Sequence, residues 1–350
     1  METIKTRSFA RAGFLGNPSD GYFGKTLSFA FSDYGVELTL VESSRLRFVP
    51  GEVDDATFDS PEHLVRDLRL YGYYGGIRLL KAVTKRFCEY AAARGIVLPK
   101  RNFTVEYKIN IPRLVGLSGS SAICTAMLKA LSRFYGVDIP EETAPTICLE
   151  AEREELRINC GFQDRVIQMY NGVVFMDFEK AYVEKNGHGR YERLDPSLMP
   201  DLYVSYDAAR AEESGEAHKE VKRLFEAKNA DVMSAMSEFA DIAQKGRDAL
   251  IAGRKDDLAA LVNANFDLRD RIFHVAPENR RMVETARSCG VSAKFAGSGG
   301  AIVGTYEGED QFKELQSRLA AIGCRTFKPH IATLEDESAD LASRGTWRNS

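Results

Sequence analysis

The chain has 350 residues and a net charge of −4, with 44% hydrophobic and 28% charged residues, as is typical of a globular enzyme. No apolar stretch approaches the roughly 20 residues that span a bilayer, and the acidic balance argues against nucleic acid as the main partner. The six cysteines show no paired spacing, and the N-terminus lacks a basic-then-apolar leader pattern. We therefore predict a cytoplasmic protein with reduced thiols and no membrane partner.

The order of predicted elements indicates two α+β domains. In the N-terminal half the patterns predict strands at 3–10, 26–31, 36–41, 103–109 and 172–177 and helices at 73–93, 119–135 and 144–156. Beyond a break at 185–200 they predict a strand at 202–206, helices at 214–228, 231–252, 255–275 and 278–288, a strand at 301–306 and a helix at 308–322. We expect domains at 1–190 and 195–334, followed by a flexible polar tail at 335–350.

A loop rich in glycine and serine separates the strand at 103–109 from the helix at 119–135. Its residues are Pro112, Arg113, Leu114, Val115, Gly116, Leu117, Ser118, Gly119, Ser120, Ser121 and Ala122. The first turn of a helix presents unpaired backbone N–H groups, glycines allow close approach, and serine hydroxyls add ligands, so this loop suits a polyphosphate. The alternative is an ordinary N-cap loop. The sequence contains neither of two common phosphate-loop motifs, G-x-x-x-x-G-K-[ST] and a G-x-G-x-x-G that links a strand to a helix.

Three segments in order resemble the motifs of the GHMP kinases, the family of galactokinase, homoserine kinase, mevalonate kinase and phosphomevalonate kinase. They are residues 11–20, the loop at 112–122 and the glycine-rich stretch 294–301, which includes Gly297, Ser298 and Gly299. The resemblance implies ATP bound by the second and third segments. It also implies an N-terminal domain like ribosomal protein S5, a C-terminal α+β sandwich and an active site in the cleft between them.

Within that family the chain resembles the glucuronokinase branch over roughly residues 4–333. The stretches that carry this resemblance are 13–20, 72–76, 78–80, 116–122, 163–166 and 294–301. It implies ATP-dependent phosphorylation of the anomeric (C1) hydroxyl of D-glucuronate, which yields 1-phospho-α-D-glucuronate and ADP. A kinase of galacturonate, galactose or a heptose, a non-catalytic sugar sensor, and an ATP-binding scaffold without sugar recognition remain alternatives.

The resemblance assigns the chemistry to four residues. Asp164 matches the catalytic aspartate that orients and deprotonates the sugar hydroxyl, and Arg11 matches the arginine between that oxygen and the γ-phosphate. Glu152 precedes Asp164 by twelve residues, the separation found in galactokinase-like members, which implies Mg²⁺ on Glu152 and Ser121. The alternatives are a helix N-cap for Asp164, a surface position for Arg11 and a solvated acidic face for the glutamates.

The sugar pocket is predicted around Asn17 and Asp20. Asp20 matches the family carboxylate that accepts hydrogen bonds from sugar hydroxyls, with turn initiation as the alternative. Asn17 stands where galactokinase-like members carry glutamate, and a neutral amide does not repel a uronate. For the cation that meets the C6 carboxylate we consider Lys25, Arg78 and Arg165, and favour Arg165 because it adjoins Asp164. The sequence leaves open a monomer or a homodimer.

Overall fold

Two sheets form the framework of the computed structural model, which describes residues 2–51, 54, 60, 75–207 and 215–338. The strands are β1 (Thr3–Leu15), β2 (Lys25–Ser43), β3 (Arg47–Phe48), β4 (Asn102–Ile109), β5 (Val173–Asp177), β6 (Arg190–Leu194), β7 (Leu202–Asp207), β8 (Lys294–Phe295), β9 (Ala301–Thr305) and β10 (Cys324–Phe327). The helices in the N-terminal half are α1 (Gly76–Ala93), α2 (Gly119–Tyr135), α3 (Ala144–Glu150), α4 (Gln163–Tyr170) and α5 (Lys180–Asn186). Those that follow are α6 (Gly215–Glu226), α7 (Ala230–Ile251), α8 (Asp256–Ile272), α9 (Pro277–Arg287), α10 (Gly308–Ala320) and α11 (Leu334–Ser338).

The first sheet is organised around the long strand β2. Strand β1 pairs with it along one side, while β4 and β5 pair with successive parts of its other side, and β3 and β6 complete the edges. We predicted two strands here, at 26–31 and 36–41. Instead the chain continues, and the pairing shifts from Phe9–Gly35 to Ala10–Phe31, so that the extra residues form a bulge.

Helix α2 packs against this sheet and carries the loop at 112–122 on its N-terminal end. Its contacts with β1 and β2 bury an almost continuous apolar face, which includes Ile123, Met127 and Leu131. In β4 the alternating residues Phe103, Val105 and Tyr107 are buried, as the period-two pattern predicts. The sequence predicted α2 with the bounds that the structure has.

The second sheet has the order β10-β7-β9-β8 and is covered by helices of the C-terminal half. Helices α7 to α10 begin and end within three residues of the predicted first and last residues. Strand β6 extends the first sheet, and the second sheet starts with β7. The domain boundaries themselves stay a prediction, because one hydrophobic cluster includes residues of both sheets.

Several sequence predictions extend beyond the described residues. The parts outside them are residues 73 and 74 of the predicted helix at 73–93, residue 214 of the predicted helix at 214–228, residues 72–74 of the stretch at 72–76, and most of the tail at 335–350. Within the described ranges, every helix is either too short or too polar to span a bilayer.

Candidate active site

A cleft of about 1040 Å³ lies between the two halves of the molecule. The predicted site residues that line it are Arg11, Asn17, Asp20, Pro112, Gly116, Leu117, Ser118, Gly119, Ser120, Glu152, Asp164, Arg165, Gly297 and Ser298. Four others do not line it, namely Lys25, Ser121, Ala122 and Gly299. Residues from three distant parts of the sequence thus meet at one site, in the position that the family resemblance implies.

The two glycine-rich loops pack backbone against backbone at the floor of the cleft. Gly116 has φ +75°, and a Cβ at this position would lie 2.6 Å from the carbonyl oxygen of Gly299. A Cβ at Gly297 would clash with the carbonyl oxygen of Gly116. Glycine is therefore required at both positions. Gly116 adopts a left-handed conformation, and at both Gly116 and Gly297 a Cβ would clash with the backbone of the facing loop. The loop at 112–122 then enters α2 at Ser118, and the first residues of the helix, Gly119 and Ser120, line the cleft, where the free N–H groups of a helix start suit an anion.

Asp164 and Arg11 form a bidentate ion pair in the cleft. Arg11 Nε donates to Asp164 Oδ1 at 2.7 Å, and Arg11 Nη2 donates to Oδ2 at 2.9 Å. Ser118 Oγ donates to the same Oδ2 at 2.7 Å. Arg11 Nη1 donates to the carbonyl oxygens of Gly116 and Ala296, so the guanidinium links both glycine-rich loops to Asp164.

Asp164 lies in the first turn of α4, whose N-cap is Phe162, so the N-cap alternative for Asp164 is wrong. Burial acts to raise the pKa of Asp164, but the charge and hydrogen bonds of Arg11, with smaller contributions from Arg165 and Ser118, lower it to about 2. The carboxylate is therefore ionised throughout the physiological range.

Asp20 is a second carboxylate in the cleft, with the opposite pKa shift. Burial, followed by the negative charge of Asp164, raises its pKa from 3.8 to about 6. Its Oδ2 accepts a hydrogen bond from the backbone N–H of Gln163 at 3.1 Å. A Cβ at Gly161 would clash with this carboxylate, so glycine there makes room for Asp20 beside α4. The turn-initiation alternative does not account for a buried carboxylate in the cleft.

Glu152 is fully buried and pairs with Arg165. We predicted one helix over 144–156, whereas α3 ends at Glu150 and a π-helical turn, Ala151–Glu155, carries Glu152. Arg165 donates to Glu152 Oε2 through Nε at 2.7 Å and also through Nη2, while its Nη1 donates to the carbonyl oxygen of Gly161 at 2.9 Å. Arg165 is thus committed to Glu152 and Gly161, which argues against our prediction that it holds the substrate carboxylate.

The other oxygen of Glu152 fits the predicted metal ligand. Oε1 is buried without a hydrogen-bond partner among the residues that the structure describes, and Glu152 lines the cleft, so a cation would satisfy this oxygen. The second predicted ligand is Ser121. Its hydroxyl donates a hydrogen bond to the carbonyl oxygen of Ser118 at 3.2 Å, and the residue is buried behind the cleft wall. Ser120, its neighbour, lines the cleft instead.

The structure does not bring Lys25 to the cleft. Its Nζ donates to Gln244 Oε1 at 2.8 Å and lies 3.8 Å from Asp177 Oδ2. Lys25 was one of three candidate cations for the substrate carboxylate, but its side chain extends from β2 toward Gln244 of α7. Arg78, also considered for the uronate carboxylate, does line the cleft.

Sequence reasoning missed three basic residues around the site. Arg269 of α8 donates to the carbonyl oxygens of Gly297 and Ser298 and fixes the second glycine-rich loop. Arg153 lines the cleft beside Asp20. Lys294, in β8, is buried behind Asn17. Only Lys294 belongs to a motif that the sequence singled out, and the partners of all three are set by tertiary contacts.

Comparison with known proteins agrees with this geometry. The family described as GHMP kinases N terminal domain matches residues 78–172, and GHMP kinases C terminal matches residues 247–323. The chain is similar to "Glucuronokinase 1" of Arabidopsis thaliana, with 43% identity over 91% of this chain and 90% of that protein. It is also similar to "Probable glucuronokinase 2" of the same plant, with 44% identity over 91% of this chain and 88% of that protein.

A solved structure shows the same fold at low identity. The galactokinase of Lactococcus lactis, complexed with galactose, superposes with a TM-score of 0.75 over 95% of this chain and 94% of that chain at 16% identity. The chain belongs to the GHMP kinase family. Within that family it aligns over nearly its whole length with the two Arabidopsis proteins. The predicted family, fold class and kinase activity are therefore confirmed.

Proposed function

We propose that this chain transfers the γ-phosphoryl group of ATP to the anomeric hydroxyl of D-glucuronate, giving 1-phospho-α-D-glucuronate and ADP. The observation that carries the proposal is the Arg11–Asp164–Ser118 cluster between the glycine-rich loops, in a chain that matches two glucuronokinases over about nine-tenths of its length.

The glycine-rich loops supply the nucleotide site in this proposal. Gly119 and Ser120 at the start of α2 line the cleft, where backbone N–H groups and a serine hydroxyl suit the phosphates of ATP. Arg269 holds the facing loop at Gly297 and Ser298. Phosphoryl transfer depends mainly on positioning and charge neutralisation, which these groups provide.

Asp164 and Arg11 perform the transfer step. A new bond forms between the sugar C1 oxygen and the γ-phosphorus as the bond to the β-phosphate oxygen breaks, and the hydroxyl proton passes to Asp164. Because Arg11 lowers its pKa, Asp164 is a weak base, and it acts mainly by orienting the hydroxyl. The anomeric hydroxyl suits such a base, since it is more acidic than the other hydroxyls of the sugar.

Mg²⁺ would be held by Oε1 of Glu152 together with the phosphates, and by Ser121 if its hydroxyl leaves the carbonyl oxygen of Ser118. When bound, the ion neutralises phosphate charge during transfer. Asp20 and Asn17 form the wall that faces the sugar. A cytoplasmic location and a monomeric or dimeric state stay predictions.

The test is ADP release with ATP and Mg²⁺ on a panel of D-glucuronate, D-galacturonate, D-glucose and D-galactose. Preferred turnover of D-glucuronate supports the proposal, and the phosphate on C1 is checked by NMR of the product. Preferred turnover of a neutral sugar would instead indicate that the chain is a kinase of that sugar. ATP binding without turnover of any sugar would favour a sensor.

A further inference from the structure

Lys294 is a buried lysine without a counter-ion among the residues that the structure describes. The side chain is 1% exposed. Its Nζ donates to the carbonyl oxygens of Gly13 at 2.6 Å and Phe295 at 2.8 Å, and to Oδ1 of Asn17. All three partners are neutral oxygens. Burial, followed by the positive charges of Arg269 and Arg11, lowers the pKa of Lys294.

A buried cation without a negative partner is costly to the folded protein. That cost falls when a ligand brings a negative charge to the same region. Lys294 does not itself line the cleft, but Asn17, its hydrogen-bond partner, does. Any effect of Lys294 on a ligand must therefore pass through Asn17 or through its electric field.

Lys294 determines which way the Asn17 amide points. An ammonium group has three protons and no lone pair, so it binds the amide oxygen and excludes the amide nitrogen from that side. Three acceptors surround Nζ and match its three protons. The Nδ2 group of Asn17 has no hydrogen-bond partner within the described part of the chain. Its two protons are thus available to a ligand in the cleft.

We infer that Lys294 is a positioning residue that orients the Asn17 amide, so that Nδ2 and the positive charge behind it favour the carboxylate of a uronate substrate. This inference rests on the proposed function, and it replaces Arg165 and Lys25, whose side chains are committed elsewhere. Asn17 suits the sugar rather than the nucleotide, because it shares its chain segment with Asp20. A carboxylate accepts both protons of an amide and gains from a nearby cation, whereas a hydroxymethyl group gains less.

Asn17→Asp separates this role from a purely structural one. A carboxylate at position 17 retains an acceptor for Lys294 and gives it a counter-ion, so the melting temperature is expected to stay equal or rise. It also removes the Nδ2 donors and adds a negative charge. We expect the KM for D-glucuronate to rise about 10- to 100-fold, the range for loss of a hydrogen bond to a charged group, with the KM for ATP within about twofold.

Lys294→Met tests the inference independently, because it removes the positive charge and leaves Asn17 in place. We expect a similar rise in the KM for D-glucuronate, together with a lower preference for D-glucuronate over D-glucose. Lys328→Met is the matched control, since Lys328 is a surface lysine paired with Glu309, and it should behave as wild type. If Lys294→Met does not fold, Asn17→Asp alone decides.

An unchanged KM for D-glucuronate in Asn17→Asp would overturn the inference and leave the proposed function intact. A rise in the KM for ATP alone would also overturn it, since the ligand of Asn17 would then be a phosphate. Arg153→Gln tests the rival cation beside Asp20, and a uronate-specific KM effect there but not in Asn17→Asp would reassign the carboxylate to Arg153. A wild-type enzyme that turns over no uronate would overturn both the inference and the proposed function.

Discussion

Arg11 Nε and Nη2 donate to the two carboxylate oxygens of Asp164, at 2.7 and 2.9 Å, across 153 residues of sequence. The pair joins β1 to α4 and, through Nη1, to the carbonyl oxygens of both glycine-rich loops. A bidentate pair with a fixed guanidinium gives the carboxylate one orientation. Catalysis by this site therefore depends on orienting the acceptor hydroxyl more than on strong basicity.

Asp164→Asn should lower kcat by roughly 10²–10⁴-fold, the usual size of a general acid–base contribution. The amide keeps the shape of the side chain but neither takes the proton nor attracts Arg11 as strongly. Asp177→Asn is the control, because Asp177 pairs with Lys25 and Arg190 outside the cleft. Steady-state kinetics at saturating ATP measure both variants, and equal kcat values in the two would remove Asp164 from the mechanism.

The pH dependence of kcat/KM for the sugar should reflect the ionisation of Asp20. Its pKa is raised to about 6, so in the folded protein it becomes protonated as the pH falls below 6 and ceases to be a full acceptor for sugar hydroxyls. Asp164, with its pKa of about 2, does not titrate in that range. We expect kcat/KM for the sugar to decline below pH 6 with a single ionisation. In Asp164→Asn the residual activity should decline at lower pH, because Asp164 contributes to the raised pKa of Asp20.

Asp20 also affects stability, and the sign follows from its raised pKa. Ionised Asp20 destabilises the folded state, so its cost is absent below pH 3.8, grows as the pH rises toward 6, and is complete above that. Asp20→Asn should therefore raise the melting temperature at pH 7 by more than it does at pH 4. A difference independent of pH would mean that Asp20 does not titrate in this window.

Gly116→Ala should impair both folding and nucleotide binding. The substitution introduces left-handed strain and places a Cβ against the carbonyl oxygen of Gly299. Gly136→Ala is matched for conformation, with φ +65°, but its Cβ meets open space at the end of α2. We expect Gly136→Ala to cost about 1–2 kcal/mol of unfolding free energy with an unchanged KM for ATP. Gly116→Ala should cost more and raise that KM.

Glu152→Gln should raise the Mg²⁺ concentration needed for half-maximal activity, since it neutralises the side chain whose Oε1 we assign to the cation. Glu150→Gln is the control, because Glu150 pairs with Arg86 and does not line the cleft. The same titration on Ser120→Ala and Ser121→Ala decides which hydroxyl joins the site. Superimposable Mg²⁺ titrations for the two glutamate variants would exclude Glu152 as a ligand.

The parts of the fold that sequence predicts well are those with local signals. Helix α2 has a strong apolar period and a glycine and serine start, and its predicted and observed bounds agree. Strand β2 was divided wrongly because residues 32–35 contain Ser, Asp, Tyr and Gly, a turn-like composition that the sheet accommodates as a bulge. The edge strands β6 and β10 were missed, since they have only five and four residues and each pairs along one side.

The predictions for the site divide in the same way, since residues in family motifs were found from sequence and residues placed by tertiary contacts were not. Family motifs predicted Arg11, Asp164 and Glu152 for one site, and all three line the cleft, but the adjacency of Arg165 to Asp164 did not predict the partners of Arg165. Arg165 pairs with Glu152 and has its Nη1 4.0 Å from Asp164 Oδ2, whereas Asp164 pairs with Arg11. The function of Lys294 could not be read from its motif alone, because its partner Asn17 lies 277 residues away.

The proposed reaction is tested by ADP release from the wild-type protein with ATP, Mg²⁺ and D-glucuronate, measured beside D-galacturonate, D-glucose and D-galactose, with Asp164→Asn in parallel. We expect the highest kcat/KM for D-glucuronate and a loss of that turnover in the variant. An equal or higher kcat/KM for a neutral sugar, or turnover of D-glucuronate that survives Asp164→Asn, would rule out the reaction as proposed.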